Sequence, residues 1–245
     1  MCGSFFEISR NTWDSVSSKP KDAKFSSNSV CCIISIITRL DCLVGLNGRL
    51  VFRQSIANYN YLLNMKNAII VHGAGGTPQD HWYPWLKIEL EKKGYVVQIP
   101  QLPKSEDPKI SEWLPVLMKE EDFSKETVVV DHSAGATIIL PLLETLTVKI
   151  KQAILVSGYS YATGKNGGDG ILKLNYDWEK IRENVNEIIF VNSDNDPWGC
   201  SDLQGRRMLD LLGGVQIVLK GQGHMGSYFH KQAYETFPLL SRLIP

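Results

Sequence analysis

The sequence lacks net charge: Lys and Arg together number 26, and so do Asp and Glu. Without a basic excess, no field draws nucleic acid or an anionic membrane onto the surface, so neither is expected as a partner. Cysteine is scarce and unpatterned. Its five copies, Cys2, Cys31, Cys32, Cys42 and Cys200, form no C-x-x-C and no zinc-like spacing with histidine. Neither a disulfide framework nor a metal centre is suggested. Long apolar runs are missing as well. The run at residues 30–37 is too short to span a bilayer, and Arg39 and Asp41 interrupt its continuation. It starts late for a secretory signal and no clear small-residue cleavage site follows, which leaves a cytoplasmic protein as the expectation. Nucleotide-binding signatures are absent too: no G-K-[ST] follows the glycines at 73–76, and the G-x-G-x-x-G spacing is missing.

What is present falls into two parts. Four of the five cysteines precede Met65, whereas all five histidines (His72, His81, His132, His224 and His230) follow it. Residues 1–64 contain a Ser/Lys-rich stretch at 14–29 and little periodicity, and we assign them no function. Two expectations stand for this part, a poorly ordered extension or the product of an upstream start choice, and the second is favoured because strand-like text begins just after Met65. Residues 65–245 form the expected domain, with 43% hydrophobic content over the whole chain to supply a core.

From Met65 onward, strand-like and helix-like segments alternate. Strands are expected at 67–72, 95–99, 127–130, 153–156, 187–192 and 215–219. Helices are expected at 83–93, 111–121, 134–146, 177–184, 203–212 and 232–243. Trp85, Leu86, Ile88 and Leu90 share helical spacing in the first of these. The glycine-rich text around Gly164, Gly167, Gly168 and Gly170 reads as a loop. Such alternation predicts an α/β fold with a mostly parallel six-stranded sheet covered by helices on both faces.

Ligands in such sheets sit beyond the carboxyl ends of the strands, and four of these ends carry chemistry. After the first strand comes His72-Gly73-Ala74-Gly75-Gly76; after the third, His132-Ser133-Ala134-Gly135; after the fifth, Ser193-Asp194-Asn195-Asp196-Pro197-Trp198; after the sixth, Gly221-Gln222-Gly223-His224-Met225. A β-branched strand running into a small-residue turn and an apolar helix makes Ser133 the apex of a nucleophile elbow. Nucleophile, acid and base then follow in the order Ser, Asp, His, the chain order of α/β-hydrolases. Alternatives stand beside each role: Ser133 as a helix cap, the glycine loop as a plain turn, Asp194 and Asp196 as turn residues. Asp196 is preferred to Asp194 as the acid because the following Pro197 restricts its backbone. The Ala74 and Ala134 amides are the candidate oxyanion donors. Trp198 is a candidate for substrate contact, His81, His132 and His230 are read as structural or pocket-lining, and Cys200 as inert.

The segments Ile69-Ile70-Val71-His72-Gly73, His81-Trp82-Tyr83-Pro84-Trp85-Leu86, Pro100-Gln101-Leu102-Pro103, the Ser133 elbow, Asp196-Pro197 and Gly223-His224 resemble the retinoblastoma-binding-protein-9-like, or YdeN-like, small serine hydrolases. The resemblance covers 65–245. It implies an α/β-hydrolase fold without a large lid, a Ser133, Asp196 and His224 triad, and cleavage of small acyl esters without a cofactor. One position departs: Asp131 stands where the G-x-S-x-G pattern has glycine. An outward rotamer, a distorted elbow and a second negative charge near His224 are the three outcomes expected of it. A catalytically impaired binding module is therefore the rival expectation, and peptide or thioester hydrolysis on the same triad a third. Specificity is expected to lie largely in the 159–175 loop.

Overall fold

The computed structural model describes residues 42–44, 50–52, 66–120, 123–162 and 169–245. The chain divides into two compact units, Met1–Leu63 and Asn64–Pro245. In the first, β1 (Cys42–Val44) and β2 (Leu50–Phe52) pair antiparallel with Cys42 opposite Phe52, a strand pair that the sequence reading did not assign. The other expectations for residues 1–64 lie outside the described residues.

The second unit holds six strands: β3 (Asn67–Val71), β4 (Val96–Gln98), β5 (Val128–His132), β6 (Ile150–Val156), β7 (Val185–Ser193) and β8 (Val215–Leu219). They lie in the order β4-β3-β5-β6-β7-β8, and every pairing is parallel. Val, Ile and Leu fill the central strands because both faces are covered. Alternation sorts them: Ile69, Val71, Val129, Leu155 and Phe190 face one core, and Ile70, Val128, Val130, Ile154 and Val191 the other.

The first core is closed by α2 (Ile110–Glu120), α3 (Ala134–Thr145), α4 (Trp178–Glu183) and α5 (Asp202–Leu212), through Trp113, Ile138, Ile181 and Met208 among others. The second is closed by α1 (Tyr83–Lys92) and α6 (Pro238–Leu243), through Leu86, Leu90 and Leu240. Helix α3 is apolar almost all round, with ten of its residues buried, as befits a helix at the centre of the layer. Among the described residues no helix is long and apolar enough to cross a membrane.

Two sequence expectations are corrected. The last helix begins at Pro238 and not at residue 232, because Gln232 is already committed to a bridge with Ser227 and Lys231 and Tyr234 hold φ of 55° and 48°. Pro238 then opens the helix where a missing N–H costs nothing. On α1, Ile88 is 53% exposed, so its place in the apolar stripe is nominal.

Candidate active site

The elbow forms where β5, buried throughout, stops pairing and α3 begins. Ser133 takes φ 56° and ψ −118°, a region that costs a non-glycine residue about 1–3 kcal/mol and persists only when its surroundings hold it. Those surroundings are visible. The Ser133 amide donates to the Val156 carbonyl at 2.9 Å, and the Ser133 carbonyl accepts the first α3 bond from Thr137 N at 3.1 Å. Helix α3 presses so closely on β3 that a Cβ at Gly135 would stand 2.5 Å from the Val71 oxygen. The half-buried Ser133 side chain is thereby held out of the sheet, and among the described residues its hydroxyl makes no hydrogen bond.

Gly73 packs against the elbow, where an added Cβ would lie 3.1 Å from Ser133 Cβ. Ala74 follows it on the exposed loop after β3. Among the described residues neither the Ala74 nor the Ala134 amide donates to a protein acceptor, so both are free for a ligand.

Asp196 and His224 meet across two loops. His224 Nδ1 donates to Asp196 Oδ2 at 2.7 Å, and Asp196 Oδ1 accepts from Trp198 N at 2.8 Å. A carboxylate partner on Nδ1 fixes the tautomer, leaving Nε2 of His224 as the acceptor. Asp194 turns elsewhere and takes the Gly221 amide at 2.7 Å. Ser193 Oγ accepts from Gln222 N at 2.9 Å, and Asn195 Oδ1 from Gly223 N at 2.8 Å. Three consecutive side chains, Ser193 to Asn195, thus hold the three consecutive amides of Gly221 to Gly223. The sequence reading gave Ser193 and Asn195 no role, because short polar side chains beyond a strand signal a turn whatever they bind.

The remaining histidines make tertiary contacts, and His81 and His132 also line the cavity beside Ser133. His72 accepts from Leu102 N at 3.0 Å and so ties the 100–103 segment to the end of β3. Burial lowers its pKa, as it does that of His81, whose Nδ1 bonds the Ala233 carbonyl. His132 is buried with its ring between Tyr83 and the His224 backbone. His230 stacks edge-on to Trp198.

Asp131 takes neither an outward rotamer nor a form that distorts the elbow. Its side chain is wholly buried and not outward, its φ is negative, and the elbow beside it keeps its conformation. Neither carboxyl oxygen is hydrogen-bonded, and the nearest backbone help, from Val71, does not reach hydrogen-bond geometry. Burial pushes its pKa well above the carboxylate range, which disfavours a second negative charge near His224.

Ser133 and His224 open into one cavity of about 410 Å³. Its other walls include Gly73–Gly76, His81, Tyr83, His132, Tyr159, Trp198, Tyr228 and Phe229, with Asp80 and Glu106 adding polar rim. The sequence reading missed Tyr228 and Phe229, although they stand four and five residues after His224. Of the 159–175 loop, Tyr159 lines the cavity, and residues 163–168 lie outside the described residues. Asp196, Cys200 and His224 place ligand atoms within 4.8 Å of one another, the one set among the described residues able to hold a metal. Burial and then the Asp196 charge raise the Cys200 thiol, and Asp196 and His224 are already bonded to each other, so this set is engaged as it stands.

A profile described as Serine hydrolase matches residues 68–243. The chain belongs to the serine hydrolase family. Among its relatives, YdeN of Bacillus subtilis (strain 168), described as a hydrolase, is 26% identical over 182 residues, which cover 71% of this chain and 92% of that one. Serine hydrolase RBBP9 of Rattus norvegicus is 31% identical over 136 residues, 54% of this chain and 72% of its own. The crystal structure of the B. subtilis ydeN gene product superposes with a TM-score of 0.67 at 24% identity, over 73% of this chain and 96% of that one. Est1E of Butyrivibrio proteoclasticus, solved with ferulic acid bound, has a TM-score of 0.53 at 16% identity, over 73% of this chain and 86% of its own. The fold is that of the α/β-hydrolases.

Proposed function

We propose that this serine hydrolase cleaves small carboxylic esters through an acyl-enzyme, within a catalytic domain spanning residues 65–245. His224 Nε2 takes the Ser133 hydroxyl proton as Oγ bonds to the ester carbonyl carbon, and the tetrahedral oxyanion is received by the Ala74 and Ala134 amides. His224 then returns the proton to the departing alcohol. Water, deprotonated by His224, attacks the acyl-serine and releases the acid, with the proton going back to Ser133. Asp196 holds the imidazole in its Nδ1–H tautomer and stabilises the imidazolium that forms at each step. Trp198, beside the acid loop, would contact the substrate. The reaction as written needs no cofactor.

The observation that carries this reading is the 2.7 Å bond from His224 Nδ1 to Asp196 Oδ2 at the wall of the cavity that Ser133 enters. Ser133 Oγ would close onto His224 Nε2 when substrate fills the cavity, since catalytic hydrogen bonds commonly tighten only in the substrate complex. Asp131 favoured a silent binding module as the rival. Its negative φ and the retained strain at Ser133 favour an active elbow.

A fluorophosphonate probe tests the assignment. Labelling at Ser133, located by peptide mass spectrometry and lost in Ser133→Ala, is the expected result; a folded wild-type sample that stays unlabelled would overturn it.

A further inference from the structure

Helix α1 starts beside the site without supplying any group to the chemistry just proposed. Its first residue, Tyr83, is 1% exposed, and its hydroxyl lies 2.8 Å from Nδ1 of His132, itself 2% exposed. The other nitrogen of that ring, Nε2, lies 2.8 Å from the carbonyl oxygen of His224. The Gly73 amide points at the same Tyr83 hydroxyl from 3.4 Å. One phenol and one imidazole therefore connect the loop bearing Ala74 to the backbone of the base.

Direction along this path follows from donor chemistry. The His224 carbonyl can only accept, so His132 Nε2 carries a proton and donates. Burial, and next the nearby His224, hold the His132 pKa well below the usual range, so the ring is neutral and Nδ1 is bare. Tyr83 must then donate to Nδ1, and burial raises the phenol pKa so that it keeps the proton it donates. The phenol oxygen remains to accept from Gly73 N–H. Each group has one role and none is left over.

Resting on the hydrolase reading, we propose that Tyr83 and His132 are positioning residues. They hold the Ala74 amide and the His224 ring in register through one hydrogen-bond wire: Gly73 N–H to Tyr83 Oη, Tyr83 O–H to His132 Nδ1, and His132 Nε2–H to the His224 carbonyl. Two neighbouring bonds brace the same backbone: Ser157 Oγ donates to the His224 carbonyl at 3.1 Å, and Trp82 Nε1 to the Met225 carbonyl at 3.0 Å. Those two bonds hold the base loop alone. Of these bonds, those of the wire are the ones that reach Gly73, next to Ala74, so its loss should loosen the Ala74 amide and the His224 backbone relative to each other.

The wire is tested in the full chain by nitrophenyl acetate hydrolysis and by imidazole ¹⁵N NMR. Tyr83→Phe and His132→Ala should each lower kcat by about tenfold or more with KM within about twofold. The double variant should fall no further than the worse single, since both cut one path. His132→Gln, whose amide nitrogen can still donate to the His224 carbonyl, should recover part of the loss. Single losses that multiply, a change in KM alone, or a Gln variant no better than Ala would overturn the proposal. The NMR reading depends on neither turnover nor a variant that folds: His132 should remain neutral and protonated at Nε2 between about pH 5 and pH 8. A ring protonated at Nδ1, or titrating in that window, overturns the wire. Wild-type protein that neither turns over esters nor takes the probe at Ser133 overturns the hydrolase reading instead, while the tautomer still decides the wire.

Discussion

A Cβ placed on Gly135 would stand 2.5 Å from the Val71 carbonyl oxygen, closer than real Cβ atoms come to backbone. That distance sets how near α3 can approach β3. Because Ala134, the first residue of α3, offers one of the two free amides, the same distance also sets where that amide points.

Gly135→Ala should therefore cost stability and site geometry together. The helix must move off β3, an overpacking worth about 1–3 kcal/mol, and probe labelling of Ser133 should slow in the fraction that still folds. Thermal melting and labelling rate, measured on one preparation, check both. An unchanged melting temperature would mean that α3 is free to shift.

Asp131 gives a pH signature. Below its ordinary value of 3.8 the carboxyl is neutral in both folded and unfolded chains. As pH rises past that point the unfolded chain sheds its proton while the folded one, with its raised pKa, keeps it. Folding stability contributed at low pH is consequently lost as pH climbs toward the folded pKa, by up to about 1.4 kcal/mol per pH unit. Asp131→Asn has no proton to lose, so its stability relative to wild type should grow from about pH 4 upward. Denaturant titrations across that range measure it, and a difference that stays flat would contradict a neutral Asp131.

Asp131→Gly separates the elbow from its neighbour. With a negative φ at position 131 and the strained serine conformation already in place, glycine supplies no freedom that the turn needs. Ester turnover should remain within about twofold of wild type. A rise of more than about tenfold would mean that the carboxyl hinders the elbow.

Much of this was legible in the sequence, and for identifiable reasons. Val128-Val129-Val130 and Ile188-Ile189-Phe190 declare buried strands because parallel sheets have no wet face. Once strands are placed, the residues just beyond them are the ones facing a ligand, which brought Ser133, Asp196 and His224 forward together. The departures share a cause as well. Gln232 carries good helical spacing to the residues after it, but its side-chain oxygen is taken by the His224 amide at 2.9 Å, a tertiary demand that no local pattern reveals. Tyr83 reads as one more apolar residue at a helix start until His132, forty-nine positions away, is folded against it. Asp131 is the reverse case. The pattern marked it as foreign, but only packing could reveal that the side chain is buried, with its pKa raised by that burial.

The bonds that assemble the site have a further property in the distances they bridge along the chain. Asp196 and His224 are 28 residues apart, His132 and His224 are 92 apart, and Trp82 and Met225 are 143 apart. Closing such loops precedes any reward from the contacts that close them, so these contacts form late in folding. Ser133, His224 and the Ala74 loop therefore come together only through contacts distant in sequence. If Ser133 is the nucleophile proposed above, its activation depends on closing these long loops.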